Sequence, residues 1–408
     1  MAERILRGRV LAPHASEAAF SLLPDALIRV EASGRIAAVE AAPPGCGVPE
    51  TWPGAVLLPG LVDTHLHFPQ TRVIGSASGP LLPWLQRSVF PEESRFCDRP
   101  YAEAVAAEFC TSMLRQGTTT AGIYSSSHPD ATDVLFAALD RCGMRALAGL
   151  TWMNRGAPAL LLRDTAEAID ASEALIARWH GHDSDRLRFC LTPRFALSCD
   201  SAMLRAAGDL AARYGLWIQT HIAENNDEGI FTAEAFPDAR DYLAVYEDHG
   251  LLGPRTILAH CIHLSDSEWT RVVAAGAVVA HCPDSNFFLG SGCMPLARAR
   301  AEGARVGLGT DVGAGRTFSV RRVCASAYDA SLVRGAPVSP EALLWLATRG
   351  GALALGLGEV TGCLAPGFEA DLIAVDAPEG MELGPLIDAL LFRHDAGPVR
   401  ATVVRGRV

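Results

Sequence analysis

The sequence predicts an α/β protein, a (β/α)8 TIM-like barrel carrying a small β-sandwich module built from both chain ends. Three observations lead there. Through the middle of the chain, short apolar runs alternate with helix-length amphipathic segments. Eight such runs can be counted, the number that closes a barrel. Both ends instead read as short β segments punctuated by turns. An open doubly wound sheet is the alternative, but it would want a Gly-rich phosphate loop after its first strand, and the sequence has none there.

At the start, Arg4 to Val10, Ala26 to Val30 and Arg35 to Val39 read as strands, separated by Ser33-Gly34 and Pro43-Pro44-Gly45. An apolar run from Ala55 to Leu58 then leads through Pro59-Gly60 into the first barrel strand, which ends in His65-Leu66-His67. The further strands are expected at 118–124, 145–150, 187–192, 216–220, 256–259, 277–280 and 305–309. Helices between them are expected at 101–115, 165–179, 200–213 and 265–275. The chain closes with strand-like Ala370 to Val375 and Ala401 to Val404, then Arg405-Gly406-Arg407. Neither end has enough apolar alternation to stand alone, so the two are expected to meet. The division is then 1–57 with 365–408 as the composite β module and 58–364 as the barrel.

Composition narrows the function. A net charge of −11 argues against a nucleic-acid backbone or an anionic membrane as the main partner. No apolar run approaches a transmembrane span and no signal-peptide pattern opens the chain, so a soluble, cytoplasmic protein is expected. The 11 cysteines are scattered, odd in number and without a C-x-x-C pair, which reads as reduced thiols. Cys261 and Cys282 each follow a histidine, and on a strand they face away from it, as packing residues. All 35 cationic side chains are arginine. With no lysine, a Schiff base or a carbamylated lysine bridging two metals is excluded.

In a barrel of this kind the active site lies at the C-terminal ends of the strands. Those ends carry an unusual polar set. His65 and His67, two apart on a strand, point the same way, and neutral imidazole is a good ligand for zinc and iron. Thr192-Pro193-Arg194-Phe195 ends the fourth strand, His221-Ile222-Ala223-Glu224 the fifth, His260 the sixth, His281 the seventh and Thr310-Asp311 the eighth. Any one of these histidines could be a hydrogen-bonded core residue, and His281, for which no role is needed, is read that way.

Pro-Gly-Leu-Val-Asp-Thr-His-Leu-His (59–67), Thr-His-Ile-Ala-Glu (220–224), Ala-His-Cys (259–261) and Gly-Thr-Asp (309–311) together resemble the metal-dependent amidohydrolase superfamily. The resemblance runs in order over nearly the whole chain. Further segments resemble the guanine deaminases within it: His65-x-His67-x-x-Gln70-Thr, Leu81-Leu82-x-Trp84-Leu85 with Phe90-Pro91-x-Glu93, Thr192 to Phe195, and Ser285-Asn286-x-x-Leu289-Gly290-Ser291-Gly292. The resemblance implies one metal, zinc or else iron, held by His65, His67, His221 and Asp311. It implies that His260 sits beside the bound water or contacts the metal, that Glu224 shuttles protons, and that Asp311 also accepts the water's proton. It further implies a purine as the small-molecule substrate and a homodimer as the assembly.

Donor and acceptor types point to an oxo purine. Arginine offers only donors, so Arg194 aimed at a six-oxo group and N7 would favour guanine over adenine. Phe195 and Trp84 could stack on or wall the ring, and Gln70, with a donor and an acceptor, suits a lactam edge. Arg194 could instead serve a surface salt bridge, and Trp84 the core. Two departures from the resemblance bear on selectivity, Pro83 before the tryptophan and Asp284 before Ser285-Asn286. A deaminase of 8-oxoguanine, a pterin or another amino-substituted ring is the alternative within the enzyme class. Outside it stands a barrel that binds without turnover, against which the complete ligand set and Glu224 both speak.

Overall fold

The computed structural model describes residues 3–16, 18–47, 50–393 and 398–407. Fifteen strands run in chain order: β1 (Arg4–Pro13), β2 (Phe20–Val30), β3 (Ile36–Ala41), β4 (Glu50–Pro59), β5 (Leu61–His67), β6 (Thr118–Tyr124), β7 (Arg145–Gly149), β8 (Thr151–Trp152), β9 (Leu187–Pro193), β10 (Trp217–Ile222), β11 (Thr256–His260), β12 (Val278–His281), β13 (Arg305–Leu308), β14 (Leu372–Asp376) and β15 (Val399–Val403).

Eight of them, β5, β6, β7, β9, β10, β11, β12 and β13, pair in parallel in that order. The first and last are brought together at their C-terminal ends. There the Asp311 N–H donates to the His65 carbonyl at 2.9 Å and the His67 N–H to the Val312 carbonyl at 2.8 Å. The eight-stranded barrel expected from the sequence is therefore present, with helices such as Arg99–Arg115, Pro129–Cys142, Thr165–Trp179 and Ser201–Tyr214 between its strands.

Local chemistry sets the helix ends. The Asp164 and Asp200 carboxylates accept the Glu167 and Met203 N–H groups at 2.8 Å each, satisfying donors that a first turn leaves open. Gly143 and Gly215 take the left-handed conformation after Cys142 and Tyr214. Strand faces alternate as pleating requires. Ala146, Ala148, Phe189, Leu191 and Leu258 join the main core with the surrounding helices. Leu147, Cys190, Trp217, Ile257 and Val278 form a second cluster with Leu355 and Leu357. His221 lies on the same face of β10 as Trp217, two pleats further along.

The terminal strands meet in one six-stranded mixed sheet, ordered β15-β14-β4-β1-β2-β3. This sheet wraps onto itself. The Ile36 N–H of edge strand β3 donates to the Phe368 carbonyl, and the Gly367 N–H to the Ile36 carbonyl, 2.8 Å each. Edge β3 thus meets the segment leading into β14, and Leu6, Val10, Ile28, Leu57, Leu372 and Ala374 are enclosed between. The other face, with Leu11, Val56, Leu58, Ile373 and Val375, joins the main core.

β4 runs into β5 with only Gly60 between them, so the chain passes straight from this sheet into the barrel. A Cβ at Gly60 would lie 2.2 Å from the Thr119 Oγ1, which no side chain could tolerate.

Candidate active site at the mouth of the barrel

β5 is irregular where it matters. Its register against β6 shifts between Asp63 and Leu66, and such bulges re-aim side chains beside functional sites. Asp63 steadies this stretch: its Oδ1 accepts the His65 N–H at 3.2 Å and the Thr310 N–H at 3.0 Å, and its Oδ2 accepts the Thr310 hydroxyl. The His65 and His67 rings come to 5.0 Å between centroids, and the Nε2 of each lies 3.3 Å from the Asp311 Oδ1.

Three other strand ends converge on this pair. The His67 and His221 Nε2 atoms are 3.1 Å apart. The His260 Nε2 is 3.4 Å from the Glu224 Oε2 and 3.8 Å from the Asp311 Oδ2. By strand alternation His260 would share the helix-facing side of Leu258. Its φ of 74° turns it off the strand path and into the site. Ala223, Cys261 and Asp311 also have positive φ, at 50°, 51° and 49°. Four non-glycine residues in this sparsely populated region thus stand at the C-terminal ends of β10, β11 and β13, and strained backbone of this kind gathers at functional sites.

His65, His221, His260 and Asp311 offer ligand atoms all within 4.8 Å of one another. His67 joins them through its contacts with His221 and Asp311. Five side chains thus face one point. The donor set fits a cation. The His221 Nδ1 is engaged by the Arg194 carbonyl, which turns the Nε2 lone pair inward. The His260 Nδ1 is engaged by the Asn286 Oδ1 at 2.9 Å, with the same effect. Neither ring nitrogen of buried His65 has a hydrogen-bond partner among the described residues.

Electrostatics divides the carboxyls. Burial alone would raise Asp311, but its contacts with His65 and His67 outweigh this and hold it well below the usual carboxylate range. Burial, reinforced by the charges of Asp311 and Glu228, pushes Glu224 well above that range. Burial first, then the neighbouring imidazoles, lowers His221 far below the ordinary histidine value. Burial brings His67 down to about 4. The depressed His67 and His221 imidazoles beside a carboxylate held low suit metal ligation, while the raised Glu224 carboxyl favours its protonated form.

The cluster floors a cavity that opens at the mouth of the barrel. Gln70, Trp84, Arg194, Phe195, Glu224 and Leu289 are among its walls. The structure thus brings together every residue singled out from the sequence as a site residue, and His281, read as a hydrogen-bonded core residue, stays apart. It is buried, lines no part of this cavity and has no hydrogen-bond partner among the described residues. Cys261 and Cys282 are buried in apolar clusters, as packing residues. Arg194 does form a salt bridge, but a buried one, donating from Nη1 to the Glu93 Oε2 at 2.8 Å. Trp84 is 2% exposed, and its indole N–H donates to the Ser76 carbonyl at 3.0 Å. It packs with Leu81, Leu85, Phe90 and Phe195 in an apolar cluster beside the cavity. The Asp284 carboxylate, one of the two departures, is buried and accepts from the Arg316 main-chain N–H and guanidinium and from the Ser326 hydroxyl. It anchors the segment after Asp311. Pro83 lies within the short helix Leu81–Trp84.

Several residues to which the sequence assigned no role support the site. The Glu93 Oε1 accepts from the Gln70 Nε2 at 3.0 Å, alongside its bond to Arg194. The Glu228 Oε2 accepts the Glu224 and Asn225 N–H groups at 2.8 and 3.0 Å. The Tyr246 hydroxyl donates to the His221 carbonyl at 2.6 Å, and the Tyr124 ring packs at 4.8 Å from both His67 and His221. Glu93 stood in the Phe90-Pro91-x-Glu93 segment without a role of its own, and Glu228 had a readable signal as the fourth residue of the capping box Asn225-x-x-Glu228.

A parallel eight-stranded barrel with a histidine and aspartate cluster at its mouth defines a metal-site hydrolase architecture. The chain belongs to the amidohydrolase family, whose profile matches residues 56–408. Among curated relatives, guanine deaminase of Escherichia coli (strain K12) is 40% identical over 325 residues, 79% of this chain and 73% of the relative. The solved E. coli guanine deaminase superposes with a TM-score of 0.93 at 32% identity, covering 100% of this chain and 98% of that one. Guanine deaminase from C. acetobutylicum, solved with guanine in its active site, gives 0.91 at 28% identity, with 98% and 97% covered. An adenosine deaminase from Xanthomonas campestris, solved with bound zinc, gives 0.84 at 26% identity, with 99% and 92% covered.

Proposed function

We infer that this protein catalyses the hydrolytic deamination of guanine to xanthine and ammonia. The observation that carries the reading is the placement of Arg194. Its side chain lines the cavity while its carbonyl engages the His221 imidazole, so ring recognition and the cation cluster share one residue.

His65, His67, His221 and Asp311 would hold a single zinc ion, with iron the alternative and His260 beside them. A bound ion of this kind supplies Lewis acidity and lowers the pKa of water. Glu224, whose carboxyl burial holds high, donates its proton to a ring nitrogen as water adds and then takes up the proton of the added hydroxyl as the new carbonyl forms. The proton that Asp311 took from the water goes to the amine, which leaves as ammonia. Asp311, anionic, accepts a proton from the attacking water. His260, 3.4 Å from Glu224 and locked by Asn286, fixes the direction of attack. Arg194 donates to the six-oxo group and N7, so adenine, with an amine donor at that edge, is rejected. Gln70 faces the lactam edge with the N–H not taken by Glu93. Phe195 and Trp84 wall the flat ring, and the apolar cluster behind them keeps bulk water out.

No described helix is long and apolar enough to cross a membrane, and we place the reaction in the cytoplasm. We further propose a homodimer, which sedimentation equilibrium decides. The reaction is tested by incubating the zinc-loaded protein with guanine, adenine, 8-oxoguanine and a pterin while following ring absorbance and ammonia. Guanine should give the highest kcat/KM; turnover of a pterin in preference to guanine would overturn the assignment.

A further inference from the structure

We propose that Glu93 sets the charge preference of the cavity, neutralising Arg194 so that uncharged rings are favoured over anionic ones; this rests on the purine reading above. Glu93 closes the helical turn Phe90–Glu93, is 3% exposed, and is not among the residues lining the cavity. One carboxylate oxygen accepts from Gln70 and the other from Arg194, at 3.0 and 2.8 Å. The Gln70 Oε1 accepts the Gly313 N–H at 3.1 Å. A flipped Gln70 amide would set a donor against the Gly313 N–H and an acceptor against the carboxylate. Glu93 therefore fixes which edge of Gln70 faces the ring, and it is the only carboxylate in salt-bridge contact with Arg194 among the described residues.

The reaction makes this pairing consequential. Replacing the ring's exocyclic amine by an oxo group adds a carbonyl that stabilises the conjugate base of the ring N–H groups. The product is thus a stronger acid than the substrate and more readily an anion. A buried guanidinium without a counter-charge would hold such an anion tightly, because charges out of water are stabilised chiefly by opposite charges. Paired with Glu93, Arg194 keeps its N–H donors for an oxo group without presenting net positive charge. Glu93 touches no ring atom and acts through its two neighbours, as a positioning residue.

The test uses the purified metal-bound protein and two rings at pH 7, hypoxanthine, which is uncharged, and urate, which is anionic. Dissociation constants are measured by calorimetry for the wild type, Glu93→Gln, Glu93→Asp and Arg194→Gln. In Glu93→Gln the preference should move toward urate by about tenfold or more, while Glu93→Asp keeps the wild-type ratio even if both rings bind more weakly. Arg194→Gln, which leaves the carboxylate uncompensated, should move the ratio the other way, an arm independent of how well Glu93→Gln folds. Equal weakening of both rings in Glu93→Gln, or an unmoved ratio in Arg194→Gln, overturns the proposal. If the wild type binds neither ring, the purine reading falls and this proposal with it; two rings bound with an unmoved ratio sink the charge assignment alone.

Discussion

The Nδ1 of His221 lies 2.6 Å from the main-chain carbonyl of Arg194, a residue on the neighbouring strand end. The bond uses backbone of Arg194, so it survives any change of the Arg194 side chain. Recognition and ion binding can therefore be separated by mutation, although one residue serves both.

Arg194→Ala should lower kcat/KM for guanine by about ten- to a hundredfold, the worth of one or two charge-assisted hydrogen bonds. Metal content, measured by elemental analysis, should stay at the wild-type value. Loss of metal in this variant would contradict the backbone role of the residue.

Glu224→Gln keeps shape and removes the transferable proton. We expect kcat to drop by about 10²–10⁴-fold with metal content unchanged, whereas His221→Ala should lose metal and activity together. A Glu224→Gln enzyme with wild-type kcat would disprove the assigned proton transfer.

Dialysis against a chelator should abolish activity and lower the melting temperature by at least about 5 °C, because a ligand that binds only the folded chain stabilises it by mass action. Added zinc should restore both. Calorimetry of the stripped and reloaded protein reads the shift, and identical melting curves would rule out a bound structural cation.

Asp371 carries a pH-dependent prediction away from the active site. Burial, then the charge of Glu369, raises its carboxyl to about 6, even though the Arg405 N–H and the Thr361 hydroxyl donate to it at 2.8 and 3.1 Å. The folded chain thus holds this proton more tightly than the unfolded one. The stability Asp371 contributes is full below about pH 4 and is lost as pH rises through about 6, by about 3 kcal/mol in all. Asp371→Asn can keep both hydrogen bonds and should flatten that part of the profile. Urea midpoints of the two proteins between pH 4.5 and pH 7.5 should converge at the acid end, and parallel profiles would refute the assignment.

The barrel was legible because its strands are apolar runs bounded by turn residues. Thr118–Tyr124 and Thr165–Trp179 fall on the residues expected. What stayed hidden were stretches where a local rule was overridden. Only Ala26 to Val30 reads as the second strand, yet β2 starts at Phe20 and runs through Pro24. The β1 register shifts between Gly8 and Val10, and Pro24 sits opposite that bulge, one of the few places a sheet accepts proline. Pro53-Gly54, outside any expected strand, lie where the pairing of β4 with β1 jumps from Thr51 to Val56. In the site, His65, Glu224 and Asp311 were readable because chemistry concentrates at strand ends. The roles of Glu93, which stands in the Phe90-Pro91-x-Glu93 segment, and of Tyr246 were not, because each acts on residues distant in sequence, and no local spacing announces such a partner.

The seam of the barrel, where Asp311 and Val312 hydrogen-bond back to His65 and His67, has a consequence for how the protein is made. The earliest ligands leave the ribosome long before the last one, and until Asp311 emerges the histidines of β5 have no closing strand beside them. On the ligand set proposed above, an ion could be captured only once the ring closes, late in synthesis. A nascent chain stalled before residue 311 would carry most of the ligands and still lack the site.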